Sequence, residues 1–272
     1  MISIKQAYVF ALDIFKKRWK LFLALCVVLF ATSALSRVNE GFALVVYNPL
    51  VLAGISLIFL VLYIILNAVF NAGLKNILLS LVHGKIARFN DIVASKKDTW
   101  KYFLGQLVVF AFVFVAVIIG ALIISLSSFV TTNLLLPAVL IMVLVGLFLW
   151  VFSRFGFWAY AMFDKNSTPR QGFSHSKKIT HGHELKIIAF YLLSLGVAFV
   201  AVLIVSLIPV PVVPFVLALI VGYVSVSLFF LSSVHMYHQL DTRHKTSAHI
   251  TKKEEHVTVR PEELEAPEAK SV

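Results

Sequence analysis

Charged residues are scarce in this chain of 272 residues and make up only 14% of it. An average soluble domain has about 25% charged residues. Hydrophobic residues reach 60%, and the mean hydropathy is +0.93. A soluble surface needs many more polar side chains, so the composition excludes a soluble globular domain and a disordered chain. It indicates an all-helical integral membrane protein.

Cysteine is almost absent, since Cys26 is the single one in the sequence. It lies within an apolar run, and one cysteine cannot form an intrachain disulfide. A disulfide-stabilised secreted fold is therefore excluded, and the cysteine content gives no information on the redox compartment.

Long apolar runs dominate what is present. A membrane span needs about 20 apolar residues, and six segments meet this requirement. None of the six contains Asp or Glu. We predict spans at Trp19–Leu35, Leu50–Ala72, Tyr102–Leu126, Leu134–Phe152, Leu185–Ile208 and Val212–Met236.

The positive charges alternate with the spans. All but one of the 24 Lys and Arg residues lie before span one, between spans two and three, between spans four and five, or after span six, counting Lys20 and Lys186 at the very start of spans one and five with the stretches that precede them; the exception is Arg37. Lys75 belongs to the second of these stretches. The positive-inside rule then places both termini in the cytoplasm. The net charge of +11 therefore reflects membrane topology, and we expect no nucleic-acid partner.

A basic amphipathic segment precedes spans one, three and five. Each contains aromatic or apolar residues at helical spacing between lysines, a pattern typical of a helix lying at the headgroup level. The pattern predicts three copies of one unit, namely an interfacial helix followed by a helical hairpin. The alternative is that basic and aromatic residues simply gather in every cytoplasmic loop. The paired lysines are Lys16 and Lys17, Lys96 and Lys97, and Lys177 and Lys178.

The chain divides at residue 240 on composition. Residues 1–240 form the predicted six-span domain. Residues 241–272 are polar, with alternating charge and two prolines, a composition that favours a disordered cytoplasmic tail.

Catalytic and metal-binding motifs are missing. The chain has no HExxH, GxSxG, Walker A or GxGxxG sequence, so we expect no catalytic residue, cofactor or metal. The intramembrane polar candidates are Asn67 and Asn71, which share one face of span two, and Arg154 at the end of span four. For the asparagines we favour interhelical hydrogen bonds. Arg154 can extend its side chain to the headgroups.

Two loops carry recurring residue patterns. They are Gly73, Leu74, Gly84, Phe89-Asn90-Asp91-Ile92 and Trp100-Lys101-Tyr102, then Asp164, Pro169, Gly172-Phe173, Ser176, Ile179 and Gly182. These patterns resemble those of a set of six-span bacterial inner-membrane families, which include the YciC type and the membrane domain attached to some glycerophosphodiester phosphodiesterases. This chain departs from them at Gly172, where Ala is expected, and after Gly182, where no aromatic residue follows. The resemblance implies an inner-membrane protein, and no phosphodiesterase domain accompanies it.

The second pattern also has a local structural meaning. Pro169 favours the first turn of a helix, and Asp164, Asn166, Ser167 or Thr168 can cap that helix. Gly182 is suited to ending it. Ser176 can bond to a neighbouring helix or to its own backbone.

These observations favour a non-enzymatic membrane protein that acts in envelope organisation. Its expected partners are anionic lipid headgroups, bound by Lys16, Lys17, Lys96, Lys97, Lys177 and Lys178, or another membrane protein or a second copy of the chain. One alternative is a transporter or permease subunit for a small or amphipathic solute, using Asn67, Asn71 and the serines Ser125, Ser127 and Ser128. Another is a metal-dependent enzyme using His181, His183 and Glu184.

Overall fold

The computed structural model describes residues 2–45, 48–87, 89–130, 135–206 and 212–258. Within these ranges it leaves out the side chains of 29–45, 49, 89–90, 124, 126–130, 135–137, 206, 212–216, 219 and 247–258. The described residues form helices and no strands, which confirms the all-helical class. The helices are α1 (Ile4–Val45), α2 (Pro49–Val82), α3 (Lys96–Val130), α4 (Leu135–Phe155), α5 (Trp158–Asp164), α6 (Pro169–Thr180), α7 (Glu184–Ser206) and α8 (Val212–Thr258).

Five stretches of the described residues are long and apolar enough to cross a membrane. They are Leu50–Val82, Lys96–Ile123, Ala138–Asp164, Glu184–Val205 and Ile220–Thr246. These five fit a multi-pass membrane protein and correspond to predicted spans two to six. Span one falls in α1 and is not among the five, so the count of six stays a prediction.

Helix α1 contains one interruption, at Arg18, whose φ of −128° and ψ of 23° are not helical. The amphipathic segment lies before this residue and the apolar run begins at Trp19. The break therefore falls at the junction that the sequence predicts between an interfacial segment and span one.

The segment before α3 differs from the predicted amphipathic helix. It contains a four-residue 3-10 turn, Phe89–Ile92, and α3 itself already begins at Lys96. Ser95 fixes this start, because its hydroxyl accepts a bond from the backbone N–H of Asp98 at 3.2 Å. The basic residues 96–101 are thus the first turns of a spanning helix, and the threefold repeat stays a prediction.

Helix α6 forms as its sequence predicts. Thr168 and Gln171 make a reciprocal capping box around Pro169, the first helical residue. The helix ends at Thr180, and Gly182 follows with a φ of +75°, a conformation that glycine adopts without strain. The capping prediction is confirmed, with Thr168 as the cap.

Helix α8 is longer than the sequence predicts. It continues through Thr258, past the expected end of the membrane domain at residue 240. Asp241 is buried where α6 packs beside this part of α8, and its carboxylate pairs with Lys165, His175 and Lys245. Part of the predicted tail is therefore helical; residues 259–272 lie outside the described part of the chain.

Buried residues concentrate at one end of the bundle. The core includes Phe22 and Leu25 of α1, Tyr237 and Leu240 of α8, and the α2 residues Leu74, Ile77, Leu78 and Leu79. The middle parts of α3, α4 and α7 carry mostly exposed apolar side chains, as expected where a helix faces lipid. The packed end is also where the charged residues collect.

Candidate functional site

One end of the bundle brings together the start of α1, the end of α2, the start of α3, helices α5 and α6, and the α8 segment 234–245. We call it the basic end. Ser3 and Gln239 join α1 to α8, since the Ser3 backbone N–H donates to Gln239 Oε1 at 3.0 Å. Lys101 of α3 donates to Asn166, which follows α5, at 2.9 Å. Sequence-distant charges therefore share one surface.

Asp241 lies at the centre of an ionic cluster. Its side chain is 5% exposed, and three cationic or imidazole groups surround it. Lys245 Nζ lies 2.6 Å from Oδ2, while His175 Nε2 and Lys165 Nζ lie 2.7 Å and 3.3 Å from Oδ1. The cluster holds α6 and the α5–α6 connection against α8, as charge-assisted hydrogen bonds do elsewhere.

The same contacts place His175 between Lys165 and Asp241. Lys165 Nζ lies 3.2 Å from His175 Nδ1, and His175 Nε2 lies 2.7 Å from Asp241 Oδ1. The imidazole therefore bridges the lysine to the carboxylate.

Asp164 makes a second polar link. The Tyr237 hydroxyl donates to its Oδ2 at 2.9 Å, and His83 Nε2 lies 3.5 Å from its Oδ1. These contacts connect the end of α2, the end of α5 and α8. In the sequence Asp164 is a possible helix cap; in the structure it connects three helices.

Arg154 forms an ion pair within the protein. Its Nη2 lies 2.9 Å from Glu184 Oε1, its Nε lies 3.2 Å from the same atom, and its Cζ lies 4.5 Å from the centre of the Trp150 ring. The carboxylate at the start of α7 thus holds this side chain, and its extension toward the headgroups stays a prediction. The Arg154 carbonyl also accepts from Ser176 Oγ at 2.8 Å, the predicted bond to a neighbouring helix.

Lys75 corrects a second expectation. The sequence placed it among loop charges, but α2 continues to Val82 and Lys75 lies inside a candidate span. Its Nζ lies 3.1 Å from the Tyr160 hydroxyl, 4.4 Å from the Tyr160 ring centre and 4.8 Å from the Phe230 ring centre. Among the ion pairs of the described residues, none joins a carboxylate to this ammonium group.

Asn67 and Asn71 bond to each other within α2. Asn71 Nδ2 donates to the Asn67 side-chain oxygen and, at 2.9 Å, to the Asn67 carbonyl. The interhelical bonds that the sequence favoured are thus replaced by a local pair. Of the serines in the transporter hypothesis, Ser125 is exposed, and the side chains of Ser127 and Ser128 lie outside the described set.

The metal hypothesis gains no support from the geometry. His181 is exposed, and Glu184 pairs with Arg154. No group of three or more His, Cys, Asp or Glu side chains that could hold a metal ion occurs in the described part of the chain. Burial, together with Arg243 and Lys186 nearby, lowers the pKa of His183.

All six lysines that the sequence proposed for headgroup binding are exposed: Lys16, Lys17, Lys96, Lys97, Lys177 and Lys178. Lys96, Lys97, Lys177 and Lys178 lie on segments of the basic end. Lys16 and Lys17 lie elsewhere, because their neighbours Phe15 and Trp19 contact Tyr223 of α8, outside the α8 segment 234–245. Lys97, together with Lys101, also lines a polar pocket of about 370 Å³ at the start of α3. Sequence reasoning missed Lys101 as a site residue, although its position one helical turn after Lys97 places both on the same face.

The basic end and the apolar helices together define a multi-pass helical membrane protein with a charged, packed end. No protein family, curated protein or solved structure matches this chain. The resemblance to six-span bacterial families therefore stays an expectation from the loop patterns.

Proposed function

We propose that this protein binds anionic phospholipids through the basic end and acts in envelope organisation without catalysing a reaction. The observation that carries the proposal is the exposure of all six predicted lysines on segments that adjoin membrane-spanning helices. A lysine near an anionic membrane surface contributes about 1 kcal/mol to binding. Several lysines on one surface add to a substantial preference for anionic lipid.

The aromatic residues beside these lysines support the same proposal. Trp19 is 48% exposed beside Lys16 and Lys17, and Trp100 is 60% exposed beside Lys96 and Lys97. Tryptophan is enriched at the headgroup level, because its apolar ring can contact acyl chains while its N–H group bonds to headgroups or water. The pair Lys96 and Lys97 at the basic end therefore fits the depth at which phosphate groups lie, whereas Lys16 and Lys17 lie at the level of Tyr223 in α8.

The carboxylates near these lysines leave most of the positive charge available. Lys17 pairs with Asp13 at 2.7 Å, but both side chains are more than half exposed. Such pairs contribute only about 0–1 kcal/mol, so a lipid phosphate can compete for the lysine. Placement in the inner membrane with cytoplasmic termini puts the basic end where anionic lipids carry the surface charge.

The test replaces all six lysines by glutamine. We expect the variant to retain at least tenfold less phosphatidylglycerol than the unmodified protein after detergent extraction, measured by mass spectrometry of bound lipid. Replacing Arg37, Lys252, Lys253, Arg260 and Lys270 by glutamine makes a control that removes five positive charges outside the basic end. Equal retention by the six-lysine variant and the unmodified protein would refute lipid binding by these residues.

A second candidate function is a permease for a small anionic solute, and Lys75 favours it. An ionisable residue inside the membrane usually marks a substrate pathway. Lys75 continues the four-residue spacing of Asn67 and Asn71 on α2, so the three polar side chains follow one face of a candidate span. An ammonium group without a carboxylate partner attracts an anion.

Flux into liposomes separates this function from lipid binding. A permease should move small carboxylates or phosphate esters faster than empty vesicles do, and Lys75→Met should abolish the difference. Flux equal to that of empty vesicles across these solutes would rule out the permease while leaving the lipid proposal unaffected.

A further inference from the structure

The pocket at the start of α3 has the chemistry of a phosphate site. It has a volume of about 370 Å³ and lies between α2, α3 and the connection from α5 to α6. Most of its lining groups are polar, and several can donate hydrogen bonds to an anion. The polar lining residues are Asn76, Ser95, Lys97, Asp98, Lys101 and Asn166.

Lys101 is held at this pocket by an unusual turn. Asn166 has a φ of +46°, a left-handed conformation that asparagine adopts more readily than most residues. Its side-chain oxygen accepts from Lys101 Nζ at 2.9 Å. The Ser167 backbone N–H donates to the Met162 carbonyl at 2.9 Å and closes the turn. The ammonium group is therefore oriented before any ligand binds.

The charge of the pocket suits a group with one negative charge. Lys97 and Lys101 contribute two positive charges and Asp98 contributes one negative charge. The Asp98 carboxylate already accepts from the Ser95 hydroxyl at 2.8 Å, which draws it toward the helix cap. The net charge of the pocket is therefore +1. A phosphodiester carries a single negative charge and balances it, whereas a phosphomonoester carries more negative charge than the pocket can neutralise.

The pocket also lies where a candidate span begins. The candidate span of α3 begins at Lys96, so Lys97 and Lys101 occupy its first turns. Trp100 between them is 60% exposed and stacks on Phe103 with ring centres 5.5 Å apart. A phospholipid whose acyl chains lie along α3 would bring its phosphate to this level.

We propose that this pocket is a specific site for the phosphodiester of an anionic phospholipid, with Lys97 and Lys101 as the charged ligands and Asn76 as a neutral donor. The inference rests on the proposed function and deepens it, because it distinguishes two lysines from the general basic surface. Lys96 and Lys177 contribute to that surface, but they do not line the pocket.

The chain offers a matched control for the test. Lys97→Gln/Lys101→Gln and Lys96→Gln/Lys177→Gln remove the same charge from the same end of the molecule. Native mass spectrometry of the full chain, with phosphatidylglycerol and phosphatidylcholine at equal concentration, should show one retained phosphatidylglycerol in the unmodified protein. We expect about tenfold less retention in the first variant and less than a twofold change in the second.

Two further arms make the result decisive. Asn76→Leu, which removes a donor without changing charge, should also reduce retention. Soluble glycerol phosphate at millimolar concentration should not displace the lipid; displacement would assign the pocket to a free phosphate ester. Reaction of Cys26 with a thiol dye on heating should give similar unfolding midpoints for all variants, since this thiol is buried.

The outcomes separate the site from the proposed function. Equal losses in both double variants would overturn the specific site while general binding by the basic end stands. No loss in either double variant would also overturn the site, and the six-lysine variant would then decide the proposed function by itself.

Discussion

Asp241 contacts three basic side chains of the basic end. Lys245, His175 and Lys165 all lie within 3.3 Å of its carboxylate oxygens. A buried carboxylate is stable only when it is paired, so this residue and its partners depend on one another.

Asp241→Asn should destabilise the protein by about 1–3 kcal/mol, because the amide cannot replace a charge-assisted acceptor for three donors. The measurement is the thermal unfolding midpoint from Cys26 labelling. Asp13→Asn is the matched control, since its pair with Lys17 is more than half exposed, and a change below about 1 kcal/mol is expected. Equal effects would contradict the buried cluster.

Lys75→Met and Arg154→Met should have opposite effects on stability. Replacing Lys75 removes a desolvated ammonium that lacks a carboxylate partner in the described residues, and methionine fills a similar space; we expect no loss or a gain. Replacing Arg154 leaves Glu184 unpaired and should destabilise the fold by about 3 kcal/mol. Unfolding midpoints that fall equally in both variants would contradict this, and would show that the contacts of Lys75 with Tyr160 and Phe230 outweigh the cost of its desolvation.

For single residues, the sequence predicted which side chains are exposed but not which side chains they contact. The six lysines are exposed as expected, because lysine seldom lies buried. Arg154 was expected at the headgroups and Asp241 in a disordered tail. The contacts of Arg154 with Glu184 and of Asp241 with His175 join residues far apart in the chain. No local sequence pattern indicates that these residues lie beside one another.

Helices α3 and α5 approach each other closely at Gly105. At Gly105 in α3 an added Cβ would overlap the Trp158 ring of α5. Trp158 in turn stacks on Tyr102 with ring centres 5.5 Å apart. This contact holds the start of α3 beside α5, and so forms two walls of the proposed headgroup pocket.

Gly105→Ala should therefore lower the unfolding midpoint and weaken phosphatidylglycerol retention, because the Trp158 ring must move. Gly146→Ala in α4 is the control, since no heavy atom lies within 4 Å of the added Cβ. Alanine there should be neutral or stabilise by up to about 1 kcal/mol. A Gly105→Ala variant that matches the Gly146→Ala variant in both measurements would contradict the packing.

Local signals explain which elements were predictable. Thr168, Pro169 and Gly182 correctly predicted the start and end of α6, because caps depend on neighbouring residues alone. The segment before α3 was expected as an amphipathic helix on its spacing of apolar and basic residues. There the Ser95 cap starts the spanning helix at Lys96, and the apolar Ile92 packs on α2 instead.

Over the whole molecule, the apolar composition predicted a helical membrane protein, and the described residues confirm this with five membrane-length helices. The alternation of charge predicted a sixth span in α1. Five spans would place the termini on opposite sides of the membrane, whereas six would place them on the same side.

Reporter fusions test this topology. We expect a fluorescent protein fused to either terminus to fold in the cytoplasm, and alkaline phosphatase at either terminus to stay inactive. An active phosphatase at one terminus alone would show an odd number of spans. It would also move part of the basic end away from the anionic surface that the positive-inside rule assigns to it.

The central claim is that the basic end selects anionic phospholipid, and one measurement tests it most directly. The protein is extracted from its own membrane in native-lipid discs, and its bound lipids are compared by native mass spectrometry with those of the bulk membrane. The account predicts a retained anionic phospholipid of defined stoichiometry, enriched well above its share of the membrane. A bare chain, or lipids in bulk proportion, would contradict it.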